Sequence, residues 1–204
     1  MNTDQNALRK YLKQIRSNIG PRERAAANRA ANQAIINNLT FRKAKNIAAF
    51  IGSKGELDPM PALEAAHKQG KKCYLPVLHP FLHGKLLFAR WSPETHLVQN
   101  HFGILEPIIK NGHVIKASAL DLVVTPLLGF DSNCQRLGMG GGYYDRTFAF
   151  RNRRKVWRGP LLYGFAFEAQ NTQGLSTNPW DIKLDCIITE KYEYYPRKGL
   201  KNCR

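Results

Sequence analysis

The stretch that decides the fold is LDLVVTPLLGF at 120–130, which continues through a short turn into RLGMGGGYYDR at 136–146. Residues 120–130 form a continuous apolar run bounded by turn residues, a pattern typical of a central strand covered on both faces. The second segment places three consecutive glycines, 140–142, between the cations Arg136 and Arg146. Glycine can reach positive φ and bring backbone N–H groups close to a ligand, so strand and loop together predict an anion site.

Three residues directly after the glycines add chemistry to the same segment. Tyr143 and Tyr144 offer ring surfaces, and Asp145 offers a carboxylate that can serve as a metal ligand. The sequence from Tyr144 onward favours a helix, whose amino-terminal N–H groups would face the same point as the loop. The segment is neither a GxxxxGK[ST] phosphate loop nor a GxGxxG fingerprint, and glycines also serve tight turns, so the anion site needs support from elsewhere.

A βαβ unit is predicted upstream, from 46 to 78. NIAAFIG at 46–52 predicts a strand, PALEAAHKQG at 61–70 a helix that ends at a glycine, and CYLPVL at 73–78 the next strand. Parallel sheets bind ligands in the loops at the carboxyl ends of their strands, and Glu56 lies in one of these loops. Glu56 is therefore a candidate ligand contact, with an acidic surface or helix-capping residue as the equal alternative.

The amino-terminal part of the chain predicts two helices. Apolar residues recur at helical spacing from Leu8 to Ile19, and an alanine-rich helix is expected from Pro21 to Leu39. The first helix also carries a stripe of cations: Arg9, Lys13 and Arg16. Such a stripe is ordinarily a solvated helix face, and the alternative is a cationic arm laid over a phosphate site.

Two further strands are expected late in the chain, at 161–167 and 185–190. The loop between them ends with Asp181 and Asp185, close to the start of the second strand. Strands and helices thus alternate along most of the sequence, which is the pattern of an α/β fold.

The domain organisation follows from this alternation and from the length of the chain. We expect one three-layer domain over 1–204, with a mostly parallel, Rossmann-like central sheet flanked by helices. Only the ends, about 1–6 and 196–204, are expected to be loose tails.

The charge of the chain is strongly positive. Lysine and arginine outnumber aspartate and glutamate by 31 to 15, which gives a formal net charge of +16. RNRRKVWR at 151–158, with Trp157, is the segment that best fits nucleic-acid binding. The basic residues are nevertheless spread over the amino-terminal helices, this segment and the tail from Arg197. The same field attracts nucleotides and polyglutamylated small molecules, so charge alone does not identify the partner.

Cysteine, histidine and apolar patterns exclude several classes of protein. The cysteines are widely separated, at Cys73, Cys134, Cys186 and Cys203. They form no CxxC pair, and the histidines match no helical zinc motif, so we expect reduced structural thiols and surface histidines. No apolar run approaches the roughly 18 residues of a membrane-spanning helix, and the polar start lacks a secretory core. We therefore expect a soluble, cytoplasmic protein.

Four segments carry a resemblance to a known family: GELD at 55–58, YLPVL at 74–78, TPLLGFDSNCQRLGMGGGYYDRT at 125–147 and NPWDIKLDCIITE at 178–190. In this order and spacing they resemble the 5-formyltetrahydrofolate cyclo-ligase family, also called 5,10-methenyltetrahydrofolate synthetases. The similarity runs over nearly the whole chain, from Leu8 to Glu190, and RLGMGGGYYDR is highly specific to the family.

The resemblance implies an ATP-dependent reaction that turns 5-formyltetrahydrofolate into 5,10-methenyltetrahydrofolate and releases ADP and phosphate. In the family the formyl oxygen attacks the γ-phosphate, N10 of the same folate closes the ring, and phosphate leaves. A formamide carbon is a poor electrophile, and phosphorylation of its oxygen supplies both activation and a leaving group. The nucleophile and the electrophile belong to one substrate, so positioning and charge stabilisation can carry the catalysis.

The resemblance also implies the residues of the site, carried over by position. The implied ATP-binding residues are Arg9, Arg136, Leu137, Gly138, Met139, Gly140, Gly141, Gly142, Tyr143 and Tyr144. The implied folate contacts are Ile51, Glu56, Met139, Gly140, Gly141, Gly142 and Tyr143. The implied Mg²⁺ ligands are Asp145 and Asp181, two carboxylates that suit a hard cation when phosphate oxygens and waters complete its shell. Arg136, Tyr143 and Asp145 are the expected catalytic residues.

Two positions depart from the family pattern. The amino-terminal motif often has a lysine where this chain has Gln5, and Lys10 or Lys13 is the candidate substitute. The glycine segment of some members carries a lysine where this chain has Gly141. Arg146 is the candidate compensating charge, with a role as a helix-surface residue as the alternative.

The expected partners are small molecules, 5-formyltetrahydrofolate and MgATP, with no specific nucleic acid and no membrane, and the expected state is a monomer. Two alternatives remain open at this point. One is a basic RNA-binding module, and the other is a nucleotide-binding relative of the same fold that serves another cofactor pathway.

Overall fold

The computed structural model describes residues 3–53, 55–109, 114–153, 159–196 and 199–202. Its helices are α1 Thr3–Asn18, α2 Pro21–Asn37, α3 Leu39–Lys43, α4 Met60–Lys68, α5 Tyr143–Phe148 and α6 Phe150–Arg153. Its strands are β1 Asn46–Ala48, β2 Lys72–Leu78, β3 Leu86–Trp91, β4 Leu97–Gln99, β5 Leu105–Pro107, β6 Val114–Ile115, β7 Leu122–Pro126, β8 Gly129–Phe130, β9 Arg136–Leu137, β10 Leu161–Phe165, β11 Cys186–Ile188, β12 Tyr192–Tyr195 and β13 Gly199–Asn202. Short 3₁₀-helices occur at Ala117–Ala119 and Glu168–Gln170.

One nine-stranded sheet organises the molecule, in the order β13-β12-β11-β10-β7-β1-β2-β3-β6. The strands from β11 to β2 run parallel to their neighbours. Both flanks are antiparallel, with β12 and β13 on one side and β3 and β6 on the other. The predicted α/β fold with a parallel, Rossmann-like centre is confirmed, and the antiparallel flanks are an addition to it.

Strand β7 is central, as the apolar run predicts, and it is buried on both faces. Leu122 and Val124 belong to a core cluster that includes Ala31 of α2, whereas Val123 belongs to a second cluster that includes Phe148 of α5. Successive side chains of a strand point to opposite faces, so helices on both faces require an uninterrupted apolar sequence.

The predicted βαβ unit is also confirmed. Strands β1 and β2 are parallel neighbours, with Ile47 opposite Cys73, and α4 lies between them in sequence. Ala62, Leu63 and Ala66 of α4 are buried against the same face of the sheet as Ile47. The carboxyl ends of β1, β2 and β7 consequently open at one edge of the sheet.

The connection from β7 to the glycines is less direct than the sequence predicts. Strands β8 and β9 form a small hairpin between them. Asp131 holds its turn, since Oδ1 accepts hydrogen bonds from the backbone N–H groups of Asn133 at 2.9 Å and Gln135 at 3.1 Å. Asp131 Oδ2 accepts another, from Leu175 at 3.1 Å. The hairpin therefore carries the chain back to the sheet edge before the glycines begin.

The second predicted helix is divided at Asn38. Helix α2 ends at Asn37, and the Asn38 side chain accepts a hydrogen bond from the backbone N–H of Thr40 at the start of α3. An asparagine in extended backbone conformation is a favourable helix N-cap, which explains the break.

The prediction of loose tails at about 1–6 and 196–204 is wrong where these ends form secondary structure. Helix α1 begins at Thr3, and Gln5 Nε2 donates a hydrogen bond to the backbone oxygen of Ser176 at 3.1 Å. Strand β13 pairs with β12 along the sheet edge.

Most of the basic segment 151–158 and parts of the tail lie outside the described residues, so their role in nucleic-acid binding stays untested. None of the helices in the described part of the chain has the length and apolar character that a membrane crossing requires.

Candidate active site

A cleft of about 1350 Å³ opens at the carboxyl edge of the parallel strands. Its floor includes Phe50 and Ile51 after β1, Leu78 at the end of β2, and Pro126 and Leu127 at the end of β7. Every residue that the family resemblance assigns to a ligand lines this cleft: Arg9, Ile51, Glu56, Arg136, Leu137, Gly138, Met139, Gly140, Gly141, Gly142, Tyr143, Tyr144, Asp145 and Asp181. The fold thus brings together positions that are more than a hundred residues apart.

The glycine loop, Gly138 to Gly142, enters α5 with backbone angles that favour glycine. Gly140 has φ of 101° and Gly142, the N-cap of α5, has φ of 62°. A side chain is strained at such angles. A Cβ on Gly141 would lie 3.0 Å from Cδ2 of Tyr143, which is closer than ordinary van der Waals contact. The glycines therefore allow a tight turn directly under the ring of Tyr143.

Arg136 and Asp145 form an ion pair at the end of this loop. Nη2 of Arg136 lies 2.5 Å from Oδ1 of Asp145, with side-chain exposures of 6% and 20%. The Arg136 guanidinium also lies over the ring of Tyr144, 5.8 Å from its centroid. Burial raises the pKa of Tyr144 above its ordinary value, and the positive charge of Arg136 lowers it by less. Tyr144 is therefore a neutral hydroxyl at physiological pH.

Asp181 is held close to Asp145 through the main chain. Oδ1 of Asp145 accepts a hydrogen bond from the backbone N–H of Ile182, the residue after Asp181, at 3.1 Å. Oδ2 of Asp181 accepts hydrogen bonds from N and Nδ2 of Asn178, at 2.7 and 3.2 Å. These contacts engage one oxygen of each carboxylate. Asp145 Oδ2 and Asp181 Oδ1 take no part in them.

This pair fits a Mg²⁺ ion that keeps much of its hydration. Mg²⁺ usually takes one or two protein carboxylates, and phosphate oxygens and waters complete its octahedral shell. No group of three or more histidine, cysteine, aspartate or glutamate side chains in the described ranges could hold a metal ion. The donors are oxygen atoms, in keeping with a hard cation.

Arg9 reaches the glycine loop from α1. Its Nε donates a hydrogen bond to the backbone oxygen of Gly138 at 3.0 Å, and Nη2 donates to Gln5 Oε1 at 3.3 Å. Gln5, which stands where the family often has a lysine, lines the cleft as well. Lys10 and Lys13 are exposed and lie outside the lining, so neither takes the place of that lysine in this structure.

Arg146 lines the cleft and also contacts the glycine loop. Its Nε donates a hydrogen bond to Gly84 O at 3.0 Å, and its Nη2 donates to Gly141 O. Its guanidinium lies over the ring of Tyr143, 5.6 Å from the centroid. Arg146 is thus more than a helix-surface residue, because its donors connect the glycine loop with the β2–β3 loop. Its role as a compensating charge for phosphate stays a prediction.

Glu56 also lines the cleft, in a loop with Ser53 and Gly55 that we call the Glu56 loop. Its Oε1 is 3.3 Å from Nη1 of Arg16, with side-chain exposures of 13% for Glu56 and 4% for Arg16. Its Oε2 accepts hydrogen bonds from N and Oγ of Ser53, at 3.1 and 3.3 Å. The carboxylate is therefore held by donors and still lines the cleft.

Several cleft residues escape prediction from the sequence. The tip of the β4–β5 hairpin brings Phe102 against Tyr143 in an edge-to-face contact, with ring centroids 5.8 Å apart. Ile104 and Leu105 also line the cleft, as does Trp180, which has 66% of its surface exposed. Exposed aromatic residues next to a cleft are a useful signal, but exposure is a property of the fold and not of the sequence.

The cysteines are structural, as expected. Cys73, Cys134 and Cys186 are buried. Burial raises the pKa of Cys73 to about 11 and that of Cys134 to about 12, so both are protonated thiols near neutral pH. Cys203 lies outside the described residues.

Comparison with known proteins gives a consistent result. The model of the 5-formyltetrahydrofolate cyclo-ligase family matches residues 1–190. A 5-formyltetrahydrofolate cyclo-ligase of Haemophilus influenzae is 38% identical over 189 residues, which cover 92% of this chain and 99% of that protein. The enzyme of Escherichia coli is 42% identical over 146 residues, covering 72% and 78% of the two chains.

Solved structures agree with the sequence relatives. The 5,10-methenyltetrahydrofolate synthetase of Aquifex aeolicus superposes with a TM-score of 0.76 at 30% identity, over 96% of this chain and 94% of the other. The enzyme of Mycoplasma pneumoniae, at 24% identity and a TM-score of 0.69, shows the same fold over 93% of this chain.

Proposed function

The chain belongs to the 5-formyltetrahydrofolate cyclo-ligase family, and from that premise we propose that it converts 5-formyltetrahydrofolate to 5,10-methenyltetrahydrofolate with ATP and Mg²⁺. The observation that carries the proposal is the single cleft in which the glycine loop, the two carboxylates and the Glu56 loop meet. A reaction between two substrates requires such a shared space, and a protein that binds one nucleotide does not.

The proposed chemistry needs no nucleophile from the enzyme. The formyl oxygen attacks the γ-phosphorus as the bond to ADP breaks, and N10 then attacks the activated carbon. The phosphate leaves with the former formyl oxygen, and N10 loses its proton as the ring closes. Because both reacting groups belong to one folate, the protein contributes mainly by orienting the substrates and stabilising charge.

The nucleotide side is assigned to the glycine loop. Its backbone N–H groups and Arg136 would hold the phosphates, with Arg9 fixing the loop through Gly138. Asp145 and Asp181 would hold Mg²⁺, which when bound neutralises phosphate charge that develops during transfer. The ion pair between Arg136 and Asp145 would hold the phosphate-binding cation and the proposed metal ligand next to each other before ATP binds.

The folate side is assigned to Ile51, Glu56 and Tyr143. Each carboxylate oxygen of Glu56 accepts from a protein donor, and its remaining lone pairs can accept N–H groups of a pterin in the cleft. The rings of Tyr143 and Phe102 form an edge-to-face pair that lines the same cleft, a surface suited to a planar heterocycle. Folate and phosphate would then meet at Tyr143.

The experiment is a direct assay on the purified protein. Incubation with 5-formyltetrahydrofolate, ATP and MgCl₂ should generate the ultraviolet absorbance of the methenyl product, together with ADP and phosphate. Omission of ATP, or chelation of the metal, should abolish the signal. Folded protein that forms no methenyl product under these conditions contradicts the proposal, and turnover of another phosphate acceptor would point to a relative with a different pathway.

A further inference from the structure

Arg16 is a buried cation that the proposed reaction does not use. It is 3% exposed, lines the cleft, and contacts the carboxylate of Glu56. We infer that Arg16 is a positioning residue, which orients the Glu56 carboxylate for the folate. The inference rests on the proposed function, because it takes Glu56 as a folate contact.

The orientation of Glu56 depends on donors at both of its oxygens. Arg16 engages Oε1, and the N–H and hydroxyl of Ser53 engage Oε2. The Ser53 donors come from the same loop, and Glu56 N in turn donates a hydrogen bond to Ser53 O at 2.9 Å. Arg16 donates from α1, outside the loop. Its hydrogen bond therefore orients the plane of the carboxylate relative to the rest of the cleft.

Arg24 of α2 performs a different task on the same loop. Its Nη1 donates to the backbone oxygen of Gly55, and its Nη2 donates to the backbone oxygens of Arg16 and Ile19, each at 3.0 Å. Arg24 therefore fixes the main chain of the Glu56 loop against the end of α1. Arg16 fixes the carboxylate, so backbone and side chain are held by separate arginines.

Helix α1 places Arg16 and Arg9 on the same face. The two residues are seven positions apart, which corresponds to two helical turns and about 10 Å along the helix axis. Arg9 contacts Gly138 of the glycine loop, whereas Arg16 contacts the Glu56 loop. Substitution of Arg16 should therefore affect the folate side and leave the nucleotide contact of Arg9 in place.

Buried ion pairs contribute little to stability on average, because desolvation of both charges offsets their attraction. An arginine kept at 4% side-chain exposure next to a cleft carboxylate is thus better explained by orientation than by net stabilisation. The guanidinium suits this task, since its planar donors fix direction as well as charge.

The test compares Arg16→Met, Arg16→Lys, Glu56→Gln and the double variant Arg16→Met/Glu56→Gln with the wild type. Arg22→Met, on the exposed face of α2, removes an arginine by the same substitution away from the cleft. The measurements are KM for folate, KM for ATP, kcat, folate binding without ATP, and thermal unfolding.

The Arg16→Met variant should raise KM for folate by about tenfold, the loss expected for one charge-assisted hydrogen bond, with KM for ATP within about twofold. Arg16→Lys should recover part of this loss, because it restores the charge without the planar donor. In the Glu56→Gln background, Arg16→Met should cause no further increase, because the carboxylate that it orients is gone. Arg22→Met should match the wild type.

The inference is overturned if Arg16→Met leaves folate affinity unchanged, or if its effect persists in full beside Glu56→Gln. It is also overturned if the two KM values rise together with a loss of thermal stability, which is the signature of a structural role. A wild-type protein without cyclo-ligase turnover would instead refute the proposed function, so the two failures are distinguishable.

Discussion

The glycine loop and the Glu56 loop both line one cleft, yet they are held in different ways. Contacts from within its own segment hold much of the glycine loop, since Arg136 pairs with Asp145 and Arg146 donates to Gly141, and Arg9 of α1 adds one contact from outside. The Glu56 loop is fixed from outside by arginines of two helices, Arg16 and Arg24.

This difference explains why the glycine loop can be recognised from the sequence, whereas the residues that support the Glu56 loop cannot. A loop held by its own neighbours must contain its glycines and charges in one short motif. A loop held from a distance needs only one acid at the right position, and its supporting residues look like ordinary helix-surface cations. The two sides should also respond differently to substitution.

The largest effect is expected at the metal side of the glycine loop. Asp145→Asn removes the partner of Arg136 and a proposed Mg²⁺ ligand, so kcat should fall by about 10²- to 10³-fold. The dependence of the rate on magnesium concentration should weaken in parallel, as measured by titration with MgCl₂. Glu94→Gln, at an acid outside the cleft lining, serves as the control and should retain wild-type kinetics. An unchanged magnesium profile in Asp145→Asn would remove this residue from the ligand set.

A smaller effect that separates the two sides is expected from Arg9→Met. Loss of the hydrogen bond to Gly138 should loosen the glycine loop and raise KM for ATP by about tenfold. KM for folate should change little, because Glu56 is held by Arg16. Steady-state kinetics with each substrate varied in turn provides the measurement, and Lys10→Met on the exposed side of α1 is the matched control. Equal increases in both KM values would mean that the two loops are not independent.

Backbone conformation gives a third test, confined to the glycine loop. Gly142 has φ of 62°, so Gly142→Ala should reduce the free energy of unfolding by about 1 kcal/mol. The substitution also brings Cβ within 2.9 Å of Nη1 of Arg146, which must shift. Denaturant unfolding measures the loss. Gly20→Ala is the control, since φ is −65° there and no atom lies within 4 Å of the added Cβ. Equal stabilities of the two variants would contradict the assignment of strain to Gly142.

The smallest effect is expected from Ser53→Ala on the Glu56 loop. The substitution removes the hydroxyl donor to Glu56 Oε2 but leaves the backbone N–H donor at 3.1 Å. KM for folate should therefore rise by only about twofold to threefold, a fraction of a typical hydrogen-bond contribution. Ser92→Ala, outside the cleft lining, should leave that KM unchanged. A loss as large as that of Arg16→Met would show that the loop itself, and not α1, sets the orientation of Glu56.

Local patterns were sufficient to predict the centre of the molecule. The run at 120–130 predicted a strand buried on both faces, and β7 is that strand because helices cover Leu122 on one side and Val123 on the other. The alternation from 46 to 78 predicted the parallel pair β1 and β2. These features depend on residues close in sequence, where periodicity carries the information.

Features that depend on distant partners were not predictable in the same way. The sequence indicates a loose tail at 196–204, but β13 pairs with β12, and no local pattern shows this pairing. In the sequence, Arg146 and Arg16 are recognisable only as charged residues. Arg146 contacts Gly84, 62 positions away, and Arg16 contacts Glu56, 40 positions away. All predicted ligand residues line the cleft, whereas their contacts with ATP, Mg²⁺ and folate stay predictions.

The contacts of α1 also determine when the cleft can form. Arg9 meets Gly138 across 129 positions, and Gln5 meets Ser176 across 171. Chains are synthesised from the amino terminus, so α1 leaves the ribosome long before either partner exists. Contacts of such high sequence separation form late, because the entropy of closing the intervening chain must be overcome first. Helix α1 is therefore among the last elements to dock, and a chain that stops before Asp181 would contain β1, α4 and β2 without a complete cleft.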